Sequence, residues 1–136
     1  LADDRYVAAC RHDHPLARKT HLSWQAYFEQ DYIGLDRVSG NRTLLDRELA
    51  HLTPARPSIC ETRHVTTMLG MVEAGIGIAA VPAMSMPAGE HSVLRAVPLT
   101  DPVVTRTVGL IRLSGRIQSY VAAELEKLLI EQYPSG

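Results

Sequence analysis

Thr62-Arg63-His64-Val65-Thr66-Thr67-Met68-Leu69-Gly70-Met71-Val72-Glu73-Ala74-Gly75-Ile76-Gly77-Ile78-Ala79-Ala80-Val81-Pro82 is the stretch whose reading decides the fold. Val65, Met68, Leu69 and Val72 fall at i, i+3, i+4 and i+7, which is one face of a helix, and Thr62 is placed to cap its start. Gly75 follows as the residue able to take the left-handed conformation that ends a helix. Ile76 to Val81 is then a run of strand length without a polar residue, suited to a strand covered on both faces, and Pro82 stops it. A helix feeding a doubly buried strand is the repeating unit of an α/β fold.

The same alternation extends in both directions. Upstream, Tyr6 to Cys10 reads as a buried strand stopped by His14-Pro15-Leu16, and Ser23 caps a short helix carrying Trp24, Tyr27 and Phe28 on one face. Tyr32 to Leu35 is the next strand. A polar, glycine-containing turn, Asp36 to Arg42, opens a second helix with Leu45, Leu49 and Leu52 at helical spacing. Pro54 and Pro57 close it, and Ser58 to Glu61 forms a third strand. Downstream, Met84 to Ser92 is irregular, and Val93 to Leu99 is a weak edge strand because it holds Pro98. Val103 to Leu113 is the longest candidate strand. Its first half is solvated or bridging (Thr105, Arg106, Thr107) and its second half is expected to be buried. Ser119 caps a last helix whose stripe is Val121, Leu125, Leu128 and Leu129, ending near Tyr133-Pro134. These elements predict a mostly parallel sheet flanked by helices.

Composition excludes several function classes. The 136 residues carry 14 Lys+Arg against 15 Asp+Glu and are 46% hydrophobic, the profile of one folded domain and not of a disordered chain. A net charge of -1 leaves no footprint for neutralising phosphates, so the chain by itself is not expected to bind DNA. The longest apolar run, Ile76 to Met84, is far short of the roughly 20 residues of a membrane span. Cys10 and Cys60 lie apart in apolar runs and are expected to be reduced and buried. The opening LADDRYVAAC has neither an initiator Met nor a signal-peptide pattern, and it reads as a piece of something longer.

Enzyme chemistry finds no support. Gly75-Ile76-Gly77 follows a helix and opens a strand, the reverse of a dinucleotide-binding turn, and there is no phosphate loop, so no cofactor is expected. Neither Ser39 nor Ser85 sits in the frame of a nucleophile elbow. His12-x-His14 and Cys60 with His64 each stand alone, where structural zinc needs two such pairs, so no metal is expected either. What remains are two helix starts. In α/β sheets ligands bind outside the carboxyl ends of strands, where unpaired N–H groups and the positive dipole end favour an anion. Ser39-Gly40-Asn41-Arg42 and Arg63-His64-Val65 are such junctions, and together they could hold a small carboxylate; plain capping with solvated charges is the competing reading.

At this point the residues resemble a family. Glu61 through Pro82, with VEAGIGIAAVP at its core, resembles the effector-binding, substrate-binding-like domain of LysR-type transcriptional regulators. Tyr6-Val7-Ala8 followed by His14-Pro15-Leu16-Ala17 is similar to that family's strand and HPLA turn, and Val108-Gly109-Leu110 with Gly115-Arg116 to its closing strand. The resemblance implies one subdomain of a periplasmic-binding-protein-like fold and only the C-terminal part of the effector domain. Residues 1–10 would be the crossing strand, 11–102 the second subdomain, and 103–136 the return strand and C-terminal helix directed to a first subdomain outside the chain. It also implies a small-molecule effector held by Ser39 to Arg42 and Arg63 to Val65, DNA contact only through a separate N-terminal winged helix-turn-helix, and a cytoplasmic homo-oligomer without enzymatic activity. One branch of the family senses peroxide through a cysteine pair around Ser39 to Leu49; no cysteine stands there, which favours a small-molecule effector. The competing readings are a solute-binding protein of a transport system and a small α/β enzyme.

Overall fold

In the computed structural model, which describes residues 1–89 and 92–133, the first strand β1 (Ala2–Arg11) is the axis of the molecule. It starts earlier than the apolar run Tyr6 to Cys10, because its polar first half pairs with a late strand, β7 (Thr105–Val108), through Ala2↔Val108 to Arg5↔Thr105. Its apolar half pairs on one side with β5 (Ile78–Pro82) and on the other with β6 (Leu94–Thr100). Beyond β5 come β3 (Tyr32–Leu35) and β4 (Cys60–Thr62), and beyond β6 the two-residue β2 (Leu22–Ser23), giving the order β2-β6-β1-β5-β3-β4.

The α/β class with flanking helices holds, and the sheet is mixed. Strands β2 to β7 all run one way, with parallel ladders β2/β6, β3/β4 and β3/β5, while β1 runs against its three partners in the centre. A sequence pattern reports that a strand is buried but not its direction, so the reversed central strand was not foreseen. Strand β6 is not an outer edge either. It lies between β1 and β2, although β2 covers only Leu99 and Thr100, and Pro98 faces the stretch that β2 leaves open.

Helix α2 (Gly40–Glu48) links β3 to β4, and α3 (Val65–Glu73) links β4 back past β3 to β5. Right-handed crossovers running in opposite directions put their helices on opposite faces, and the core divides accordingly. Tyr6, Ala8 and Cys10 of β1 point into one layer with Trp24, Tyr27 and Tyr32, over which Leu44 and Leu45 of α2 pack. Val7 and Ala9 point into the other with Ile33, Leu35, Met68 and Val72. The period-two alternation of β1 is thus apolar on both faces, as a central strand requires. Burial of Met68, Leu69 and Val72 makes α3 the best-anchored helix, at roughly 1.5–3 kcal/mol for each side chain. Its end is a Schellman turn: Ile76 N–H donates to Met71 O, Gly75 N–H to Val72 O, and Gly75 has φ +79°.

Other boundaries shift by local rules. Ser23 caps α1 (Trp24–Phe28) by accepting from Ala26 N–H, and Ser119 caps α4 (Tyr120–Gln132) by accepting from Ala122 N–H. Thr62, by contrast, does not cap α3. It is the last residue of β4, paired with Leu35, and His64 occupies the cap position. Helix α2 stops at Glu48, and Leu52 follows in a turn that donates to Leu49 O. Strand β7 ends at Val108, and Leu110, Ile111 and Leu113 are exposed, which corrects the expectation that this half would be buried. The α4 stripe residues Val121, Leu125 and Leu128 are likewise exposed. The helix stop at Pro134, and part of the irregular stretch from Met84 to Ser92, lie outside the described residues.

Candidate functional site

Strands β3 and β4 end side by side, because Leu35 pairs with Thr62 and Asp36 N–H donates to Thr62 O at 3.0 Å. The two helix starts picked out in the sequence therefore lie next to each other at the carboxyl edge of the sheet. Arg63 Nε bonds Asp36 Oδ2 at 3.3 Å, while Asp36 Oδ1 accepts from Val38 N–H, so the two loops are laced together. At α2 the first intrahelical bond is Thr43 N–H to Ser39 O, and at α3 it is Met68 N–H to His64 O. The N–H groups of Gly40, Asn41 and Arg42, and of Val65, Thr66 and Thr67, precede those bonds and are the donors that a helix leaves unpaired. Neither Ser39 nor His64 spends its side chain on a cap.

The remaining site residues are engaged within the protein. Arg42 Nε spans both oxygens of Asp46 at 2.9 and 3.0 Å, and its Nη1 bonds Leu35 O at 2.7 Å and Glu61 Oε1 at 3.3 Å. Burial works against its charge, but Asp46 and Glu61 together outweigh that and raise its pKa above the ordinary guanidinium value. Arg42 thus fastens α2 to the ends of β3 and β4. Asn41 is also committed: its Oδ1 accepts from the Tyr6 hydroxyl at 2.8 Å and from Arg106 Nη1 at 3.4 Å.

That contact leads to a cluster not singled out in the sequence. Asp4 is a buried carboxylate whose Oδ2 meets Arg106 Nε at 3.0 Å and Nη2 at 2.9 Å, while its Oδ1 accepts from Met84 N–H at 2.9 Å just after β5. Tyr6 feels both charges. Its hydroxyl pKa is pushed up to about 12, chiefly by burial, with Arg106 pulling it down and Asp4 pushing it up. One signal was available: Asp4 shares the parity of Tyr6, Ala8 and Cys10, so on a strand it must point to the same layer. A carboxylate at that parity needs a partner, and Arg106 lies on the strand that pairs with it. The β1/β7 ribbon therefore rises from the same sheet edge as the two helix starts and is pinned to the first by Asn41.

Among the described residues no three His, Cys, Asp or Glu side chains come together to hold a metal ion, and no helix is long and apolar enough to cross a membrane. A cavity of about 610 Å³ is present, but it lies beneath α2 and not between the helix starts; Arg42 and Glu61 are on its rim.

With this geometry in view, the chain matches the family described as LysR substrate binding domain over residues 1–134. It is 41% identical over 130 residues to YbhD of Escherichia coli, an uncharacterized HTH-type transcriptional regulator, covering 96% of this chain and 41% of that protein. It is 33% identical to YfeR of Shigella flexneri, described in the same terms, over 97% of this chain and 42% of that protein. The chain thus spans about two fifths of the length of the curated relatives it matches. Among solved structures, the effector-binding domain of QuiR in complex with shikimate superposes with a TM-score of 0.73 at 22% identity, over 97% of this chain and 62% of that one. The effector-binding domain of BenM with its effector benzoate gives 0.62 at 22%, over 97% and 60%. At these identities the superpositions establish the fold.

Proposed function

Because the chain belongs to the LysR substrate binding domain family, we propose that it senses a small organic anion for a transcriptional regulator, holding the anion at the paired starts of α2 and α3. The observation that carries this reading is the Leu35↔Thr62 pairing, which sets two sets of unpaired helix N–H groups side by side. Ser39, Gly40, Asn41, Arg42, Arg63, His64 and Val65 form the site, with divided roles. Backbone N–H groups of Gly40 to Arg42 and Val65, with the uncommitted side chains of Ser39 and His64, face the anion. Arg42, Asn41 and the Arg63–Asp36 pair hold the loops. The shikimate of the QuiR complex and the benzoate effector of BenM are both carboxylates, which is the chemistry such a site suits.

In the same reading residues 1–10 cross into the domain, 11–102 form the second effector subdomain, and 103–136 return toward a first subdomain. DNA would be contacted through a helix-turn-helix outside these residues, in keeping with the HTH-type relatives, and the protein would act as a cytoplasmic, non-enzymatic homo-oligomer. Thermal-shift titration of the full-length gene product with small carboxylates, shikimate and benzoate among them, tests the proposal. A ligand at 100 times its dissociation constant adds about 2.7 kcal/mol. Ser39→Ala and His64→Ala are expected to reduce the shift. A set of carboxylates that all fail to stabilise the protein, or a shift indifferent to both substitutions, overturns the assignment.

A further inference from the structure

The cavity beneath α2 has a floor and a roof of different origin. The floor is the aromatic cluster Trp24, Tyr27, Phe28 and Tyr32, with ring centroids 5.6 Å apart for Trp24–Tyr27 and 5.3 Å for Tyr27–Tyr32. The roof is Leu45 and Leu49 of α2 and its C-cap. Leu44 and Leu45 pack on the edge of the cluster but no residue within α2 is buried, and about 610 Å³ is left beside these contacts. That volume lies within the range of roughly 300–1,000 Å³ typical of small-molecule pockets.

The chemistry of the lining selects the occupant. Tyr27 accepts at its hydroxyl from Ala80 N–H at 2.8 Å, and Tyr32 donates to Arg56 O at 2.9 Å, so both hydroxyls are engaged within the protein. Trp24 and Tyr27 are almost fully covered, and the apolar surface open to a ligand is that of the half-buried Phe28, Leu45 and Leu52. The rim carries two guanidiniums and two carboxylates, Arg42, Arg56, Asp46 and Glu61. Arg42 is taken by Asp46 and Glu61, and Arg56 Nη1 by Asp31 Oδ1 at 3.2 Å. An anion entering here meets no guanidinium without a carboxylate partner, whereas a flat apolar ring gains an aromatic contact with Phe28 and aliphatic cover from Leu45 and Leu52. We propose that this cavity is a second ligand site, sharing only Arg42 with the anion site, that takes a neutral molecule of one or two aromatic rings.

Trp24 is the only tryptophan of the chain and lines the cavity, so its fluorescence reports occupancy. The probes are benzyl alcohol and indanol, with benzoate as the charged comparison. The expected result is a saturable change in Trp24 emission with either alcohol, at concentrations about tenfold or more below those benzoate requires. Leu45→Phe, which fills the cavity, should raise that midpoint at least about tenfold, while His64→Ala, which lies away from the lining, should leave it unchanged. If Leu45→Phe does not fold by circular dichroism, Ala50→Phe at the exposed rim replaces it. No saturable response to either alcohol, benzoate matching them, or a response that survives the filling substitution overturns the proposal. Because the anion site is read separately through His64 and carboxylates, failure of one proposal leaves the other standing.

Discussion

The Tyr6 hydroxyl donates to Asn41 Oδ1 at 2.8 Å, which ties the middle of the central strand to the first turn of α2. The same oxygen takes Arg106 Nη1 at 3.4 Å, so both strands of the β1/β7 ribbon converge on one amide. A shift of that ribbon against the sheet must then be felt where the proposed anion sits.

This link has a pH signature. The folded Tyr6 pKa of about 12 stands above the ordinary tyrosine value of 10.0, so the stabilisation is complete below pH 10 and is lost as pH rises from there toward 12. Tyr6→Phe is expected to flatten that alkaline loss, measured as urea midpoints at a series of pH values. The flattening is partial, because fully buried Tyr27 is also pushed upward by desolvation. Below pH 9 the substitution should cost about 0.5–1.5 kcal/mol for the lost hydrogen bond.

The Asp4–Arg106 pair is lopsided: the Asp4 side chain has no exposure, whereas that of Arg106 is 32% exposed. Arg106→Ala strands a buried carboxylate with only the Met84 N–H as donor, while Asp4→Ala releases a guanidinium that can turn to water. Arg106→Ala should therefore be the more damaging substitution, costing about 2–4 kcal/mol and exceeding Asp4→Ala in chemical denaturation. Equal losses, or the reverse order, would contradict the geometry.

Local signals read well from sequence and long-range ones poorly. The bounds of β3, the Ser23 and Ser119 caps and the Gly75 helix stop each depend on residues within one turn, and each is found where the pattern puts it. The two helix starts were also legible, since loop chemistry is local. Their adjacency was not, because it follows from Leu35 pairing with Thr62. Asn41 and Arg42 looked like free ligand groups because their partners Tyr6, Arg106 and Glu61 lie 19 to 65 residues away. Leu110 to Leu113 shows the opposite failure: an apolar run states what would gain from burial, not what is at hand to bury it.

Two glycines should respond to alanine with opposite signs. A Cβ on Gly77 would lie 2.5 Å from Asp31 O, the backbone oxygen that receives Ile78 N–H at the start of β5. Gly77→Ala is therefore expected to cost about 1–3 kcal/mol, since the obstacle is main chain. A Cβ on Gly70, within α3, meets nothing within 4 Å. Gly70→Ala should stabilise by about 0.5–1 kcal/mol through helix propensity alone. Melting temperatures of the two variants decide the point.

The cysteines should behave as unequal thiols. Cys10 is buried in the layer of Tyr6 and Trp24, and desolvation raises its pKa, whereas Cys60 is only half-buried and packs on the other face of the sheet, contrary to the expectation that both are buried. A thiol reagent should modify Cys60 first and Cys10 only on unfolding. Mass spectra after mild peroxide should contain no intramolecular disulfide, since the sheet separates the two. Formation of that disulfide without unfolding would refute the placement.

The exposed tail predicts assembly. Leu125 and Leu128 of α4 are more than half exposed, and Ile111 and Ile117 in the segment before it are almost fully so. The end of that segment is tied to the helix by Gln118 Nε2 donating to Glu126 Oε2 at 2.7 Å. Each aliphatic side chain gains roughly 1.5–3 kcal/mol on full burial, and four of them can outweigh the ordering and association costs when a second surface is offered. A concentration of large exposed apolar side chains marks an interface. Light scattering of the chain across a concentration series should accordingly give a mass that rises above the monomer. Leu125→Glu should return it to monomer with unchanged helix content by circular dichroism. A strictly monomeric species at high concentration, with α4 still helical, would sink this prediction.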